Sequence, residues 1–484
     1  MELKNLKSGT DIRGTAIDTQ AEKADLTAKA VQRLAAAFAI FIKQKTKNTN
    51  IKIAVGHDSR LSAKEVSAAA IEGLMNVSSH VIFCSLSSTP AMFMTTVLSE
   101  CDGAIMLTAS HHPKNKNGMK FFSRDGGVSS SELLSIIDIA QALDFSTLPH
   151  TDSTFEEGDF LADYCAYMQA FFVDQLGERP LKGLKIAVDA SNGSSGFFAS
   201  RILAPLGADV SASQYLNPDG NFPFHPPNPE DKTAMQSIQT AVLNSKSDIG
   251  IIFDTDGDRS AIVLSDGKQI NKNRFIALMA SIVLKDNPNA TIVTDSTTSE
   301  GLKHFITEKG GTHLRYKRGY QNVIAKAKQL CDQGINAPLA METSGHGALK
   351  ENFFLDDGAY MAAKIIVEYV KLRRQGKDIF DLIKDLKEPA EQTEFRLKLK
   401  GDNWKDVGEQ VLNSLTLFSQ NHTIADDSYE GIRTYLFDGW FMARMSVHDP
   451  VVAFNIESEK IGGVEKIKNE ITKVLSGCKN IEQV

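Results

Sequence analysis

Short apolar runs alternate with amphipathic stretches over the first two-thirds of the chain. Ile51 to Val55 and His80 to Cys84 read as buried strands, while positions 26–43 and 63–75 carry the spacing of helices. Thr89-Pro90 opens a further helix, with proline where its missing N–H costs least. The apolar run Gly103 to Leu107 ends abruptly in Thr108-Ala109-Ser110-His111-His112-Pro113. Pro113 forbids a continuing ladder and biases His112 toward an extended conformation. The pattern predicts Ser110 at the tip of a strand, where a ligand can reach its hydroxyl. Asn117-Gly118 reads as the turn that folds Lys120 back toward it.

The same alternation restarts twice. Ile186 to Asp189 leads into Ala190-Ser191-Asn192-Gly193, and Thr291 to Asp295 leads into Ser296-Thr297-Thr298. Each is a short apolar strand that ends in an acid and small polar residues before a helix. Such alternation predicts helix-covered sheets. The C-terminal stretch differs, because Glu394 to Lys400, Gly431 to Phe437, Trp440 to Ser446 and Val451 to Ser458 read as strands. Asp438-Gly439 signals a hairpin, and 404–417 and 464–475 read as helices. The fold class expected is α/β: three similar mixed-sheet α/β domains (1–155, 156–265 and 266–385) plus a C-terminal α+β domain (386–484). The polar, acidic stretch Leu148 to Gly158 reads as a linker edge.

A length of 484 residues requires several cores, as this division supposes. The apolar share of 42% and charged share of 23% are those of soluble globular protein, and a net charge of −7 disfavours a general nucleic-acid binder. Five scattered cysteines without C-x-x-C suggest neither a zinc ribbon nor a disulfide framework. The start Met1-Glu2-Leu3-Lys4 lacks the apolar core of a signal peptide, and no apolar run approaches membrane-spanning length. A cytoplasmic protein is the expectation.

Candidate chemistry centres on two loops. Asp254, Asp256 and Asp258 follow the apolar run Ile249 to Phe253, and three carboxylates at alternate positions can converge on one hard cation. An EF-hand is excluded by register: Arg259 stands where glycine is needed and Ser265 where glutamate is needed. A phosphate on Ser110 would add another oxygen ligand, and Arg259 could offset its charge. Ser110 has no G-x-S-x-G elbow around it. Lys120, near such a cation and Arg259, would have its pKa pushed down, which suits proton shuttling. Glu342-Thr343-Ser344-Gly345-His346 can bind vicinal sugar hydroxyls or form a structural turn. Lys317-Arg318-Gly319-Tyr320 can add contacts or start a helix. Arg444-Met445-Ser446-Val447-His448-Asp449-Pro450 reads as a phosphate clamp or an ordinary hairpin loop.

The Ser110 and Asp254 loops resemble the phosphoserine and metal loops of the α-D-phosphohexomutase superfamily. Asp11-Ile12-Arg13-Gly14, Gly56-His57-Asp58-Ser59-Arg60-Leu61-Ser62, Pro218-Asp219-Gly220-Asn221-Phe222, the Glu342 loop and the Arg444 loop are similar to its other segments, in the same order. Within that superfamily the chain is most similar to the phosphomannomutase/phosphoglucomutase group. The resemblance implies a four-domain, heart-shaped enzyme with its active site in the central cleft, moving phosphate between O1 and O6 of a hexose through a 1,6-bisphosphate. By it Ser110 is the phosphorylated serine and, with Asp254, Asp256 and Asp258, binds Mg²⁺. Arg13, Lys120 and Arg259 belong to the catalytic centre, and His346 is a candidate base. His111, Lys317, Gly319, Tyr320, Glu342 and Ser344 contact substrate, while Arg444 and Ser446 hold the non-reacting phosphate. Glucose 1,6-bisphosphate would serve as activator, hexose phosphate is the substrate, and a monomer or homodimer is implied. Three departures from the family pattern stand out: His112 replaces the common asparagine, Tyr320 stands where some bifunctional members have histidine, and Val447-His448-Asp449 precedes Pro450. The alternatives are a phosphoglucosamine mutase and a sugar-phosphate-binding mutase paralogue without turnover.

Overall fold

The computed structural model describes residues 2–77, 80–147, 153–446 and 449–482. They form two compact units, residues 1–275 with 344–379, and residues 276–343 with 380–484.

The first unit opens with a mixed sheet. Its main strands lie in the order Asp11–Thr15, Lys116–Ser123, Gly103–Leu107, Lys52–His57, His80–Leu86 and Thr154–Glu157. Asp11–Thr15, Lys116–Ser123 and Gly103–Leu107 are antiparallel neighbours, and the remaining pairings are parallel. Every residue of Gly103–Leu107 is buried, as its uninterrupted apolar run requires. Helices Ala28–Thr46, Ala63–Met75 and Ser130–Ala142 cover this sheet and share one core with it. A Cβ on Gly73 would stand 2.1 Å from the Gln32 carbonyl oxygen, so the first two helices meet backbone to backbone. Thr154–Glu157 is an edge strand paired with His80–Leu86 rather than linker; residues 148–152 of the expected linker lie outside the described residues.

A second sheet pairs Ile186–Asp189 parallel to Ile249–Phe253, which pairs antiparallel with Ser260–Leu264. Phe253 faces Ser260 across that ladder, so residues 254–259 are the loop that closes the hairpin. Residues 344–379 complete the unit with the pairing of Gly347–Leu349 to Leu355–Asp356 and the helix Gly358–Arg374.

The second unit places Thr291–Asp295 between parallel neighbours Thr312–Tyr316 and Leu339–Met341. Its C-terminal part is an antiparallel sheet in the order Glu391–Lys398, Val451–Ser458, Gly439–Met445, Ile432–Leu436 and Thr423–Ile424. Helices Trp404–Ser419 and Gly463–Leu475 bury their apolar faces on it. The hairpin turn falls on Phe437 and Asp438, both at positive φ, rather than on Asp438-Gly439. Gly439 is already in the strand, and a Cβ there would meet the Glu457 carbonyl oxygen at 2.2 Å. No described helix is long and apolar enough to cross a membrane, and the five cysteines are free thiols.

Candidate active site

Ser110 is buried, at 1% exposure, and not at an open tip. It adopts φ +48°, an uncommon left-handed conformation for a side-chain-bearing residue. Its backbone N–H donates to Thr108 Oγ1 at 2.8 Å, and its own Oγ donates to Asp254 Oδ2 at 2.8 Å. Arg259 Nη2 donates to the same Oγ at 3.1 Å, and His111 Nδ1 lies 3.3 Å away. The two loops singled out in the sequence, 144 residues apart, are thus joined by a direct hydrogen bond.

The Asp254 loop is held by its own amides. Asp254 Oδ1 accepts from the N–H groups of Gly257 (3.0 Å) and Arg259 (3.2 Å), while Oδ2 takes Arg259 Nε at 3.1 Å. Gly257 turns the chain at φ +77°. Asp256 Oδ2 accepts from Thr89 Oγ1 at 2.5 Å and pairs with Lys120 Nζ at 3.1 Å. Lys120 also pairs with Asp258 Oδ2. Lys120 and Arg259 therefore offset two of the three negative charges of these carboxylates. Burial, with Asp256 and Asp258 beside it, pushes the Asp254 carboxyl above the usual carboxylate range against the pull of Arg259. Burial also works against ionisation of Asp256, but Lys120 and the Thr89 hydroxyl outweigh it and hold that carboxyl below the usual range.

A metal fits here. Ligand oxygens of Asp254, Asp256 and Asp258 all lie within 4.8 Å of one another. Among the described residues, Asp256 Oδ1 and Asp258 Oδ1 are buried without a hydrogen-bond partner, a costly state that an ion would relieve. An all-oxygen set of this kind suits a hard divalent cation.

Lys120 reaches this cluster from within the strand Lys116–Ser123, opposite Met106, and Asn117-Gly118 is strand and not turn. A Cβ on Gly118 would lie 2.2 Å from the Ile12 carbonyl oxygen and 2.7 Å from that of Thr108. Glycine serves strand packing there. Arg13 lies across the ladder from Gly118 and donates to Asp11 at 3.1 Å. The charge of Arg259, with burial and Arg13, holds the His111 imidazole far below its ordinary pKa, and burial with Arg13 takes His112 down to about 3. Both shifts favour the neutral ring.

His346 pairs through Nδ1 with Asp356 at 2.6 Å and lies 3.8 Å from Asp258, and its backbone bridges to Arg259. Burial lowers its pKa, but Asp356 and Asp258 more than offset this and raise it to about 9. These two carboxylates favour the protonated ring, and the sequence reading makes His346 a candidate base. A Cβ on Gly358 would meet the Arg259 backbone carbon at 2.6 Å, so the start of helix Gly358–Arg374 sits hard against the loop. Ser344 is buried in the same unit.

The structure thus brings Ser110, His111, Lys120, Asp254, Asp256, Asp258, Arg259 and His346 together. Lys317, Gly319, Tyr320, Glu342, Arg444 and Ser446 belong to the second unit. There Glu342 Oε1 accepts from the Gly319 N–H at 2.6 Å, fixing Gly319 at φ +116° just ahead of helix Tyr320–Asp332. The helix-start reading of Lys317 to Tyr320 holds. Arg444 is the last residue but one of the strand Gly439–Met445, with a buried Nε that has no acceptor among the described residues. Ser446 Oγ accepts from the Asp449 N–H at 3.1 Å. Val447 and His448, in the segment read as a phosphate clamp or a hairpin loop, lie outside the described residues.

Thr89 is a contact that the sequence reading missed. Its signal was the helix start at Thr89-Pro90, since Thr89 N–H also donates to the Asp256 carbonyl at 2.8 Å. Arg60 was missed as well.

Residues 4–147, 162–267 and 271–389 match, in turn, the models for α/β/α domains I, II and III of phosphoglucomutase/phosphomannomutase. The chain belongs to the phosphoglucomutase/phosphomannomutase family, and as such it is an intramolecular phosphotransferase acting on hexose phosphates. It is 27% identical to a phosphomannomutase/phosphoglucomutase of Pseudomonas putida over 86% of both chains. It is 28% identical to a phosphoglucomutase of Neisseria gonorrhoeae over 88% of both. Among solved structures, a phosphoglucomutase/phosphomannomutase family protein of Burkholderia thailandensis superposes with a TM-score of 0.80 at 26% identity, covering 99% of this chain and 98% of its own.

Proposed function

We propose that the protein interconverts hexose 1-phosphate and hexose 6-phosphate, with glucose or mannose as the sugar, through phospho-Ser110 and a hexose 1,6-bisphosphate. The observation that carries this reading is the hydrogen-bonded set of Ser110 Oγ, Asp254 and Arg259. The names of the relatives favour glucose and mannose over the amino-sugar alternative.

In the forward half, the phosphorus of phospho-Ser110 is taken by a sugar hydroxyl. The P–Oγ bond breaks as the new P–O bond forms, and the hydroxyl proton passes to a protein group. The bisphosphate then returns its other phosphoryl group to Ser110, the sugar oxygen regaining a proton. Arg259 spreads charge from the transferring group, and Lys120 and His346 are the proton-handling candidates, with Arg13 adding positive potential. His111, Ser344, Lys317, Gly319, Tyr320 and Glu342 orient the sugar, and Arg444 with Ser446 holds the phosphate that does not react. Ser110, Asp254, Asp256 and Asp258 would hold Mg²⁺, which when bound neutralises charge on the phosphoryl oxygens. Glucose 1,6-bisphosphate is the expected activator. Domain limits at 155, 265 and 385, a cytoplasmic setting and a monomeric or homodimeric state belong to the same reading.

The test is a coupled assay on glucose 1-phosphate and mannose 1-phosphate with Mg²⁺ and bisphosphate, together with mass analysis of the treated protein. One phosphate on Ser110 and turnover of either sugar are expected. Active protein that carries its phosphate on another residue would overturn the assignment.

A further inference from the structure

Two sequence segments remain without a role, Gly56 to Ser62 and Pro218 to Phe222, and the structure joins them behind the Ser110 loop. Arg60 is 2% exposed, an expensive place for a guanidinium unless its donors are used. Its Nη1 donates to the carbonyl oxygens of Pro113 and Lys116, both at 2.8 Å. Its Nη2 donates to the carbonyl oxygens of His112, at 2.7 Å, and of Ser110. Nε faces Asp58 Oδ2 at 3.2 Å. One planar fork thus gathers four carbonyls from a seven-residue stretch, which a lysine ammonium, with three donors on one atom, cannot reproduce.

Asp58 ties the same fork to the nucleophile by a second route. Its Oδ2 accepts from Thr108 Oγ1 at 2.6 Å, and that oxygen accepts the Ser110 N–H. The Phe222 ring lies 5.7 Å from the guanidinium carbon. A Cβ on Gly220 would fall 2.5 Å from the Leu61 N and 2.6 Å from the Ser59 carbonyl oxygen. The Pro218 to Phe222 segment therefore closes over Arg60 and keeps it dry. Drawing the carbonyls of Ser110, His112, Pro113 and Lys116 to one side fixes the peptide planes of the loop. It also stabilises the unfavourable φ of Ser110, whose Oγ then meets Asp254 and Arg259.

We propose that Arg60 is a positioning residue for phosphoryl transfer at Ser110, acting through the loop carbonyls, with Asp58 as its anchor. The inference rests on the reading of Ser110 as the phosphorylated serine.

The decisive comparison is full-length wild type against Arg60→Lys, which keeps the charge and loses the fork. Hydrogen exchange of the peptide spanning 108–120 should quicken at least tenfold in Arg60→Lys, while the rest of the first unit stays protected. Turnover per folded molecule should fall about a hundredfold, as small misplacements of reacting atoms do, with KM for glucose 1-phosphate changed less than about threefold. Methylguanidine should restore part of the turnover of Arg60→Ala, and methylamine should not. Should Arg60→Lys fail to fold, Asp58→Asn loosens the same guanidinium in place and should show both effects in weaker form. Unchanged exchange at 108–120, or wild-type turnover per folded molecule, would overturn the proposal. A wild type that takes no phosphate on Ser110 would instead refute the assigned chemistry, and the exchange measurement would still decide whether Arg60 clamps the loop.

Discussion

Replacing Arg444 by alanine should damage substrate binding far more than chemistry at Ser110. Arg444 is half-buried near the end of strand Gly439–Met445, and its Nε is enclosed. Burial and the neighbouring Arg318 charge lower its pKa, and Glu430, Asp295 and Glu394 only partly offset them. The guanidinium therefore keeps a buried donor without an acceptor among the described residues, which is the condition under which a phosphate is worth most to it. A hydrogen bond to a charged group contributes about 1.5–3 kcal/mol, or on the order of ten- to a hundredfold in affinity. If the clamped phosphate is the one that does not react, the contact exists in ground and transition states alike, so KM should rise by that factor with kcat much less affected. The assay is steady-state kinetics on Arg444→Ala with glucose 1-phosphate, paired with single-turnover transfer from phospho-Ser110 at saturating sugar phosphate. An unchanged KM with a collapsed kcat would refute the reasoning and move Arg444 to the reacting phosphate.

Two further outcomes are expected. Asp256→Asn removes one of three anionic oxygens and the partner of Lys120 and Thr89; activity should drop about a hundredfold or more and the Mg²⁺ requirement should shift to higher concentration, with near-normal turnover at limiting Mg²⁺ as the contrary result. Glu457, buried against Trp440 Nε1 at 2.9 Å, is raised by burial from 4.5 to about 7, with Glu300 adding to the rise and Arg433 and Arg315 opposing it. The folded state therefore holds this proton more tightly than the unfolded one, so wild-type stability should fall by about 3 kcal/mol as pH rises from 4.5 through 7. Denaturant titrations of Glu457→Gln should show a shallower loss over that window, and identical slopes would contradict the assignment.

Much of this was legible because the residues that do the chemistry sit on short-range patterns. An apolar run ending in three alternate aspartates needs only the ten residues from Ile249 to Asp258 to be read, and the hairpin between Phe253 and Ser260 is what that run becomes. Lys120 was legible as a partner but not as a strand residue. The Asn-Gly pair that signals a turn is there because Ile12 and Thr108 leave no room for a Cβ, a fact set by strands distant in sequence. The burial of Ser110 was hidden for the same reason, since it comes from Asp254 and Arg259. Arg60 was hidden differently: its partners are main-chain carbonyls, which carry no residue identity. Gly439 misled because close packing against Glu457, and not a turn, demands glycine there.

The division of the chain also fixes the order in which the site can be made. The first unit is interrupted after Phe275 and resumes at Ser344. A ribosome that has released residues 1–275 has made Ser110, Lys120 and all three aspartates, but neither His346, which bridges to Arg259, nor Gly358, which packs against it. The aspartate loop must wait through the synthesis of residues 276–343 with its arginine unsupported on that side. A chain cut short there holds the acids and the serine without the parts that steady them. The backbone contacts of His346 and Gly358 with Arg259 can therefore form only after more than two-thirds of the chain has been made.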